Sequence, residues 1–270
     1  MLKEKIGIIG LGNMGRALAL GLKQADLIPS QNIMLFDINE NRLDAVAKEI
    51  GASRVVNNQE LVTKSQGIIL AIKPQDVAKV LEETNDSWTT DKFIISIAAG
   101  ITTSYLEAAI KEKLSVIRAM PNIPGQIGAG ITAISSGCFT NSQHMEIART
   151  VFRIFGEVIE VKEEELDLVT ALSGSGPAYF FLVMEVLIEA GRDLGLEKPA
   201  AEKLVKETAL GAAKLAKISS RSLAQLREEV TSPGGTTEAA LKVFEKVNIR
   251  KIIFQAVEAA KQKSALLNQT

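Results

Sequence analysis

The sequence predicts an α/β protein: an N-terminal Rossmann-like doubly wound sheet over residues 1–162, followed by an all-α dimerisation domain over residues 163–270. Three observations carry this expectation. Short β-branched runs alternate with amphipathic stretches through the first part of the chain, the pattern of βαβ units around a mostly parallel sheet. A glycine turn, Gly10-Leu11-Gly12-Asn13-Met14-Gly15, follows the first of those runs and begins a helical stretch. Beyond Glu163-Glu164-Glu165 the strand-like runs stop, and helical patterns follow one another to the C-terminus.

The strands are expected at Lys5–Ile9, Ile33–Phe36, Gly67–Ile72, Phe93–Ser96, Val116–Arg118, Ile131–Ile134 and Val158–Val161. Helices fall between them at Met14–Gln24, Glu40–Ile50, Gln75–Glu83, Thr103–Lys111 and Ser142–Phe155. Asn39 or Asn41, Thr102 or Thr103, and Asn141 or Ser142 are placed to cap three of these, because their side-chain oxygens can accept from first-turn N–H groups. In the second half Pro177 opens Ala178–Leu194 and Pro199 opens Ala200–Ala216, since a first-turn proline lacks only an N–H that the helix would leave unpaired. Further helices are expected at Leu223–Glu229, Thr237–Phe244 and Ile249–Leu266. The stretch Tyr179-Phe180-Phe181-Leu182-Val183-Met184 is apolar on more than one side, which predicts subunit contacts there.

Composition narrows the function. Lys and Arg number 31 against 32 Asp and Glu, so no basic surface for a nucleic-acid backbone is expected. Cys138 is the single cysteine, which suits a reducing cytoplasm, and His144 the single histidine, so zinc sites built on several such ligands are excluded. His144 is expected on the surface of its helix. Uninterrupted apolar runs stay short of a membrane span, because even Ala178–Ile188 contains Glu185; neither a membrane partner nor a secretion signal is expected.

The glycine turn predicts a dinucleotide. Gly10 permits the tight turn, Gly12 lets backbone approach a pyrophosphate, and Gly15 lets helix pack on sheet, with the phosphates at the positive helix terminus. Asp37 ends the second strand, where an acid accepts the ribose hydroxyls of NADH and repels a 2′-phosphate; Arg42 in the following loop could instead pair with that phosphate, and Asp37 could serve only as a turn residue. The motif therefore favours NADH over NADPH. Ala71-Ile72-Lys73-Pro74 and Ala98-Ala99-Gly100 end two further strands, where small residues admit a flat nicotinamide and Lys73 reads as a solvated lining residue.

Two glycine- and hydroxyl-rich segments, Ser173-Gly174-Ser175-Gly176-Pro177 and Thr231-Ser232-Pro233-Gly234-Gly235-Thr236-Thr237, each precede a helical pattern. Turn N–H groups, hydroxyls and a helix terminus together make a receptor for a carboxylate, although helix capping alone would use the same residue types.

These segments, with Arg118-Ala119-Met120-Pro121-Asn122, resemble the pyrroline-5-carboxylate reductases along essentially the whole chain, and the Ser232–Thr237 run is the most diagnostic stretch. The resemblance implies reduction of the C=N bond of 1-pyrroline-5-carboxylate to L-proline with NADH or NADPH, the last step of proline biosynthesis. It implies a homodimer through interleaved C-terminal helices, assembled further as a decamer. It places the substrate carboxylate at Ser232, Gly234, Gly235 and Thr236, the ring nitrogen at the Thr237 hydroxyl as the catalytic contact, and Glu163 beside the proline site. Asn58, Lys73 and Ala99 align with cofactor-contacting positions. Two departures stand out: Asp37 replaces a serine common in NADPH-using relatives, and Arg221–Leu226 lacks a proline often found there. A 3-hydroxy acid dehydrogenase would share the glycine turn but usually carries a lysine in the first long helix of the second domain, and Ala178–Leu194 has none. A non-catalytic dinucleotide sensor is the remaining alternative.

Overall fold

A computed structural model describes residues 2–267. The chain divides into two compact units, one running to Ser175 and taking back the segment from Ala259 onward, the other comprising Gly176–Glu258. In the first unit the elements run β1 (Ile6–Ile9), α1 (Asn13–Gln24), β2 (Ile33–Phe36), α2 (Glu40–Ile50), β3 (Ser53–Arg54), α3 (Asn58–Lys64), β4 (Gly67–Leu70), α4 (Pro74–Glu83), β5 (Phe93–Ser96), α5 (Thr103–Ala109), β6 (Ser115–Met120), β7 (Gly130–Ser136), α6 (Ser142–Arg153), β8 (Gly156–Glu160) and α7 (Leu166–Val169).

The eight strands form one sheet in the order β3-β2-β1-β4-β5-β6-β7-β8, parallel except where β7 runs against β6. Central strands β1, β4 and β5 are buried at every position, because helices cover both faces and leave no polar side to alternate with. One apolar layer joins Leu18 and Leu22 of α1 to Val46 of α2 and Phe152 of α6. The opposite layer joins Leu61 of α3, Val77 and Leu81 of α4 and Leu106 of α5. The chain reverses its direction of winding between β1 and β4, which places the crevice of a doubly wound sheet at their carboxyl ends.

Asn39, Thr102 and Asn141 are the caps of α2, α5 and α6, accepting from the N–H groups of Arg42, Tyr105 and His144. Three short elements are additional to those predicted, the single turn α7 among them. β3 is two residues at the sheet edge, too short for a period, and α3 is seven residues whose cap, Asn57, accepts from Glu60 N. His144 is half-buried rather than solvated: its ring stacks on Phe93 with centroids 4.5 Å apart, and Nδ1 lies 2.8 Å from Ser115 Oγ.

The segment Ser173–Pro177 departs from its predicted form. It spans the end of a π turn and, past a bend at Ser175, the start of α8 at Gly176 with Pro177 in its first turn, all within a helical run that covers Glu163–Asp193. A π turn at Thr170–Gly174, with Ser175 N donating to Thr170 O at 2.8 Å, accommodates Pro177, whose missing N–H would otherwise break an α-helical ladder. The same 31-residue run is long and apolar enough to cross a membrane by length and composition, which a count of uninterrupted apolar residues does not reveal.

The second unit holds α8 (Gly176–Asp193), α9 (Lys198–Ile218), α10 (Leu223–Glu229), α11 (Thr236–Lys246) and the first part of α12 (Ile249–Leu267). Packing within it is sparse: Ala201 is its single buried apolar side chain among the described residues, meeting α8 at Gly191. Phe180 and Phe181 of α8 are 71% and 57% exposed, and Leu182, Val183, Val186 and Leu187 are exposed beside them. So large an apolar face on one element marks a protein-protein surface.

Candidate active site

The crevice is built by three loops leaving the sheet at one level, since Ile9 pairs with Leu70 and Leu70 with Ser96 across β1, β4 and β5. In the first loop Gly10 takes φ +91° and donates its N–H to Phe36 O at 2.9 Å. A Cβ on Gly15 would lie 2.0 Å from Gly10 O, so this glycine is required by helix-to-turn packing. Gly12, the uncapped N-terminal residue of α1, faces open space: a Cβ there would meet nothing within 4 Å. Leu11 is buried in the core, Met14 packs partly against it, and Asn13 is exposed at the first turn, which carries no acidic side chain. An anion fits this terminus.

A cleft of about 800 Å³ continues from Gly10 and Gly12 past Asp37 to Asn58 and the Ile72-Lys73 loop. Asp37 is only 5% exposed; Oδ2 accepts from Leu11 N at 2.6 Å and Oδ1 from Asn39 N at 2.8 Å. Arg42 Nη1 sits 3.3 Å from Asp37 Oδ2, so the guanidinium that could greet a 2′-phosphate is held by the acid that would repel one. Ile38 beside them is almost fully exposed, an apolar platform for a base.

Asn58 is 6% exposed, and Asn58 Nδ2 donates to Glu83 Oε2 at 2.7 Å, which fixes the amide and leaves Oδ1 without a partner. An orphan buried acceptor in a cleft calls for a ligand donor, such as a ribose hydroxyl or a base amino group. Together with the open backbone at Gly12, it shows that these residues fit a dinucleotide. Lys73 is exposed and caps α4 through its backbone alone, with Pro74 at the first helical position; Ala71 and Ile72 are half-buried. Ala98 is buried, Ala99 half-buried, and Gly100 turns the chain at φ +78°.

Glu163 was expected near the proline site. Its carboxylate accepts from Thr103 N at 2.7 Å and from Thr103 Oγ1 at 2.5 Å, and lies 3.5 Å from Arg118 Nη1. Buried Arg118 also faces Asp167 Oδ1 at 3.8 Å, and Ser264 Oγ donates to that same oxygen at 2.8 Å. Thr103, expected only as a helix cap, and Asp167 were not read from the sequence as parts of this cluster; the signal was a lone arginine inside the apolar strand Val116-Ile117-Arg118-Ala119.

In the second unit α11 begins at Gly235, which makes no side-chain cap. Gly234, at φ +70°, donates its N–H to Glu238 Oε2 at 2.5 Å, and Glu238 also pairs with Lys242 at 2.7 Å. The Lys242 contact first, and the Gly234 N–H second, hold the Glu238 carboxyl below its ordinary pKa. Capping by Glu238 thus closes the outer turn, while the first-turn N–H groups of Thr236 and Thr237 have no place in the helical ladder. Those two donors and the neighbouring hydroxyls form an anion receptor.

A doubly wound sheet with an open glycine turn, an acid at the end of β2 and small residues at the neighbouring strand ends defines a nicotinamide-dependent oxidoreductase. Comparison with known proteins makes this specific. Residues 163–267 match the family described as "Pyrroline-5-carboxylate reductase dimerisation", and residues 5–100 match "NADP oxidoreductase coenzyme F420-dependent". Pyrroline-5-carboxylate reductase of Pseudomonas aeruginosa is 37% identical over 99% of this chain and 98% of its own. The solved reductase of Coxiella burnetii superposes with TM-score 0.91 at 37% identity, covering 100% of both chains. That of Plasmodium falciparum, solved with NADP bound, gives 0.90 at 32%, covering 99% of both. The chain belongs to the pyrroline-5-carboxylate reductase family. It reduces 1-pyrroline-5-carboxylate to L-proline with NAD(P)H, and its C-terminal helices serve oligomerisation.

Proposed function

We propose that the ring acid is held at the start of α11, with the Ser232 hydroxyl and the Thr236 N–H around its carboxylate and the Thr237 hydroxyl against its ring nitrogen, while Gly234 and Gly235, whose N–H groups are given to Glu238 Oε2 and Ser232 O, shape the turn that admits it. The observation that carries this reading is the uncapped Gly235 terminus, which leaves donors where a small carboxylate needs them. A glycine run also admits the ligand to the backbone itself.

When bound, the reduced nicotinamide supplies the hydride. Gly10, Leu11, Gly12, Asn13, Met14 and Gly15 carry the pyrophosphate, and Leu11 takes part only through the loop it anchors, because its N–H is given to Asp37. Asp37 and Asn58 take the adenosine half, while Ala71, Ile72, Lys73, Pro74, Ala98 and Ala99 line the ring. A protonated cyclic imine is already a hydride acceptor, so the residues act by orientation, which contributes on the order of 7 to 11 kcal/mol in well-aligned reactions.

NADH is the preferred coenzyme, because Arg42 is engaged by Asp37 and the buried carboxylate repels a 2′-phosphate. Residues 1–162 form the dinucleotide-binding part and 163–270 the substrate-binding and dimerisation part; the homodimer forms through the C-terminal helices and assembles into a decamer of five dimers in the cytoplasm. The exposed apolar face of α8 and the single free thiol, Cys138, support the assembly and the compartment. The test is oxidation of NADH and NADPH side by side with racemic pyrroline-5-carboxylate. A kcat/KM at least about tenfold higher for NADH is expected, a difference of ~1.4 kcal/mol; a preference for NADPH removes the coenzyme reading, and proline found away from residues 232–237 in a soaked crystal removes the substrate site.

A further inference from the structure

We propose that Glu163 is a positioning residue that fixes the nicotinamide-side loop, acting through Thr103 rather than by touching the ring acid. This rests on the reading that Ala98 and Ala99 line the nicotinamide.

The loop joining β5 to α5 is tied to β4 at its start, where Ile97 N donates to Leu70 O at 3.0 Å and Ala98 is buried, but is held weakly beyond that. Ala98 N donates to Ser96 Oγ at 3.3 Å and Ile101 N to Ala98 O at 3.4 Å, both long. Gly100 at φ +78° adds freedom instead of removing it. α5 carries no acidic side chain in its first turn, and its cap Thr102 serves Tyr105 N. The anchor at its far end is Glu163, sixty residues on, which takes the N–H and the hydroxyl of Thr103 with the two oxygens of one carboxylate. A two-point contact of this kind fixes orientation as well as distance.

The carboxylate is itself held in place. Arg118 stands on β6 directly opposite Ser96 of β5, at the strand end from which the loop departs, and its buried guanidinium faces Glu163 Oε1 at 3.5 Å and Asp167 Oδ1 at 3.8 Å. Removing that pairing would leave a buried charge uncompensated. Strand β6, the loop and the start of the long helical run therefore form one rigid corner, and the side of the crevice that faces the ring is set by it.

The test uses the full chain and four variants: Thr103→Val, Glu163→Ala, Glu163→Gln and Ala99→Val. Thr103→Val keeps shape and ion pairs while deleting the Oγ1 hydrogen bond, so it serves even if Glu163→Ala fails to fold. Thr103→Val is expected to raise the KM for NADH about three- to tenfold and to leave the KM for pyrroline-5-carboxylate within about twofold. It should also enlarge the deuterium isotope effect with NADH labelled at the transferred position. Glu163→Ala does the same more strongly, and Glu163→Gln, which keeps an oxygen for Thr103 N–H, restores most of the loss. A rise confined to the KM for the ring acid, an equal shift in both constants, or wild-type values for Thr103→Val overturns the proposal. If Ala99→Val leaves the KM for NADH unchanged, the nicotinamide lies elsewhere and the underlying reading fails; if Ala99→Val raises it while Thr103→Val does not, the proposal alone fails.

Discussion

Asp37 Oδ2 accepts the Leu11 backbone N–H at 2.6 Å, so the acid that ends β2 also fastens the glycine turn that ends β1. In the proposed reading, coenzyme choice and loop integrity are coupled in one side chain. Asp37→Ser removes the repulsive charge and releases Arg42, and kcat/KM for NADPH relative to NADH should rise about tenfold or more, ~1.4 kcal/mol. The same change weakens the loop by about 1–3 kcal/mol, the cost of a buried donor losing its acceptor. Paired coenzyme kinetics and urea midpoints separate the two effects; an unchanged coenzyme ratio with lowered stability would leave Asp37 a loop fastener alone.

Glycines of the same turn should fail differently. A methyl at Gly12 meets only open space, so Gly12→Ala should cost no more than about 1 kcal/mol at the helix cap while weakening NADH binding at least about tenfold. Gly15→Ala drives a methyl against the Gly10 carbonyl and should destabilise the fold by about 1–3 kcal/mol. Thermal melts with and without NADH distinguish them: the first variant melts normally but gains little from coenzyme.

Thr236 and Thr237 are adjacent, yet only the second is given the reacting nitrogen. Thr237→Ala should lower kcat roughly ten- to a hundredfold, the size of a hydrogen bond to a charged group, and Thr236→Ala should act mainly on the KM for the ring acid. Near-wild-type turnover in both variants refutes the assignment.

His144 makes stability depend on pH. Burial against Phe93 lowers its pKa, with Glu4 opposing more weakly, so the folded protein prefers the neutral ring. Its contribution is complete above the unfolded histidine value of about 6.5 and is lost as pH falls through the lower folded value. Urea midpoints between pH 8 and pH 5 should therefore decline in the wild type, and His144→Leu should remove that part of the decline.

The α8 face supplies the association test. Phe181→Glu, at a position 57% exposed in the isolated chain, should weaken self-association at least about tenfold by removing an apolar contact worth roughly 1.5–3 kcal/mol. Sedimentation at graded concentrations reads this directly; an unaltered assembly would place the interface on other helices.

Much of this was legible before any coordinates. β2, β5, α2 and α10 have the predicted bounds, because each is a complete run closed by a turn or cap signal. The short edge strand β3 and α3 were not legible, since neither is long enough to show a period. Pro177 does mark the first turn of α8, but the helical residues 166–174 before it, with their π turn, show no period of their own in the sequence. For the site, residues in one loop were found together. Contacts made across the sequence, Glu163 with Thr103 and Asn58 with Glu83, emerged only from the fold.

That π turn also has an angular meaning. Each residue advances an α-helix by about 100°, so the extra residue held in the wide turn at Thr170–Gly174 sets which of its side chains meet the sheet domain, among them Ser173, whose hydroxyl accepts from Asn122 Nδ2 at 3.2 Å. Deleting one residue there would turn Ser173 away from Asn122 by roughly a quarter-turn. One extra residue in a helix thus decides which of its hydroxyls a neighbouring loop can use.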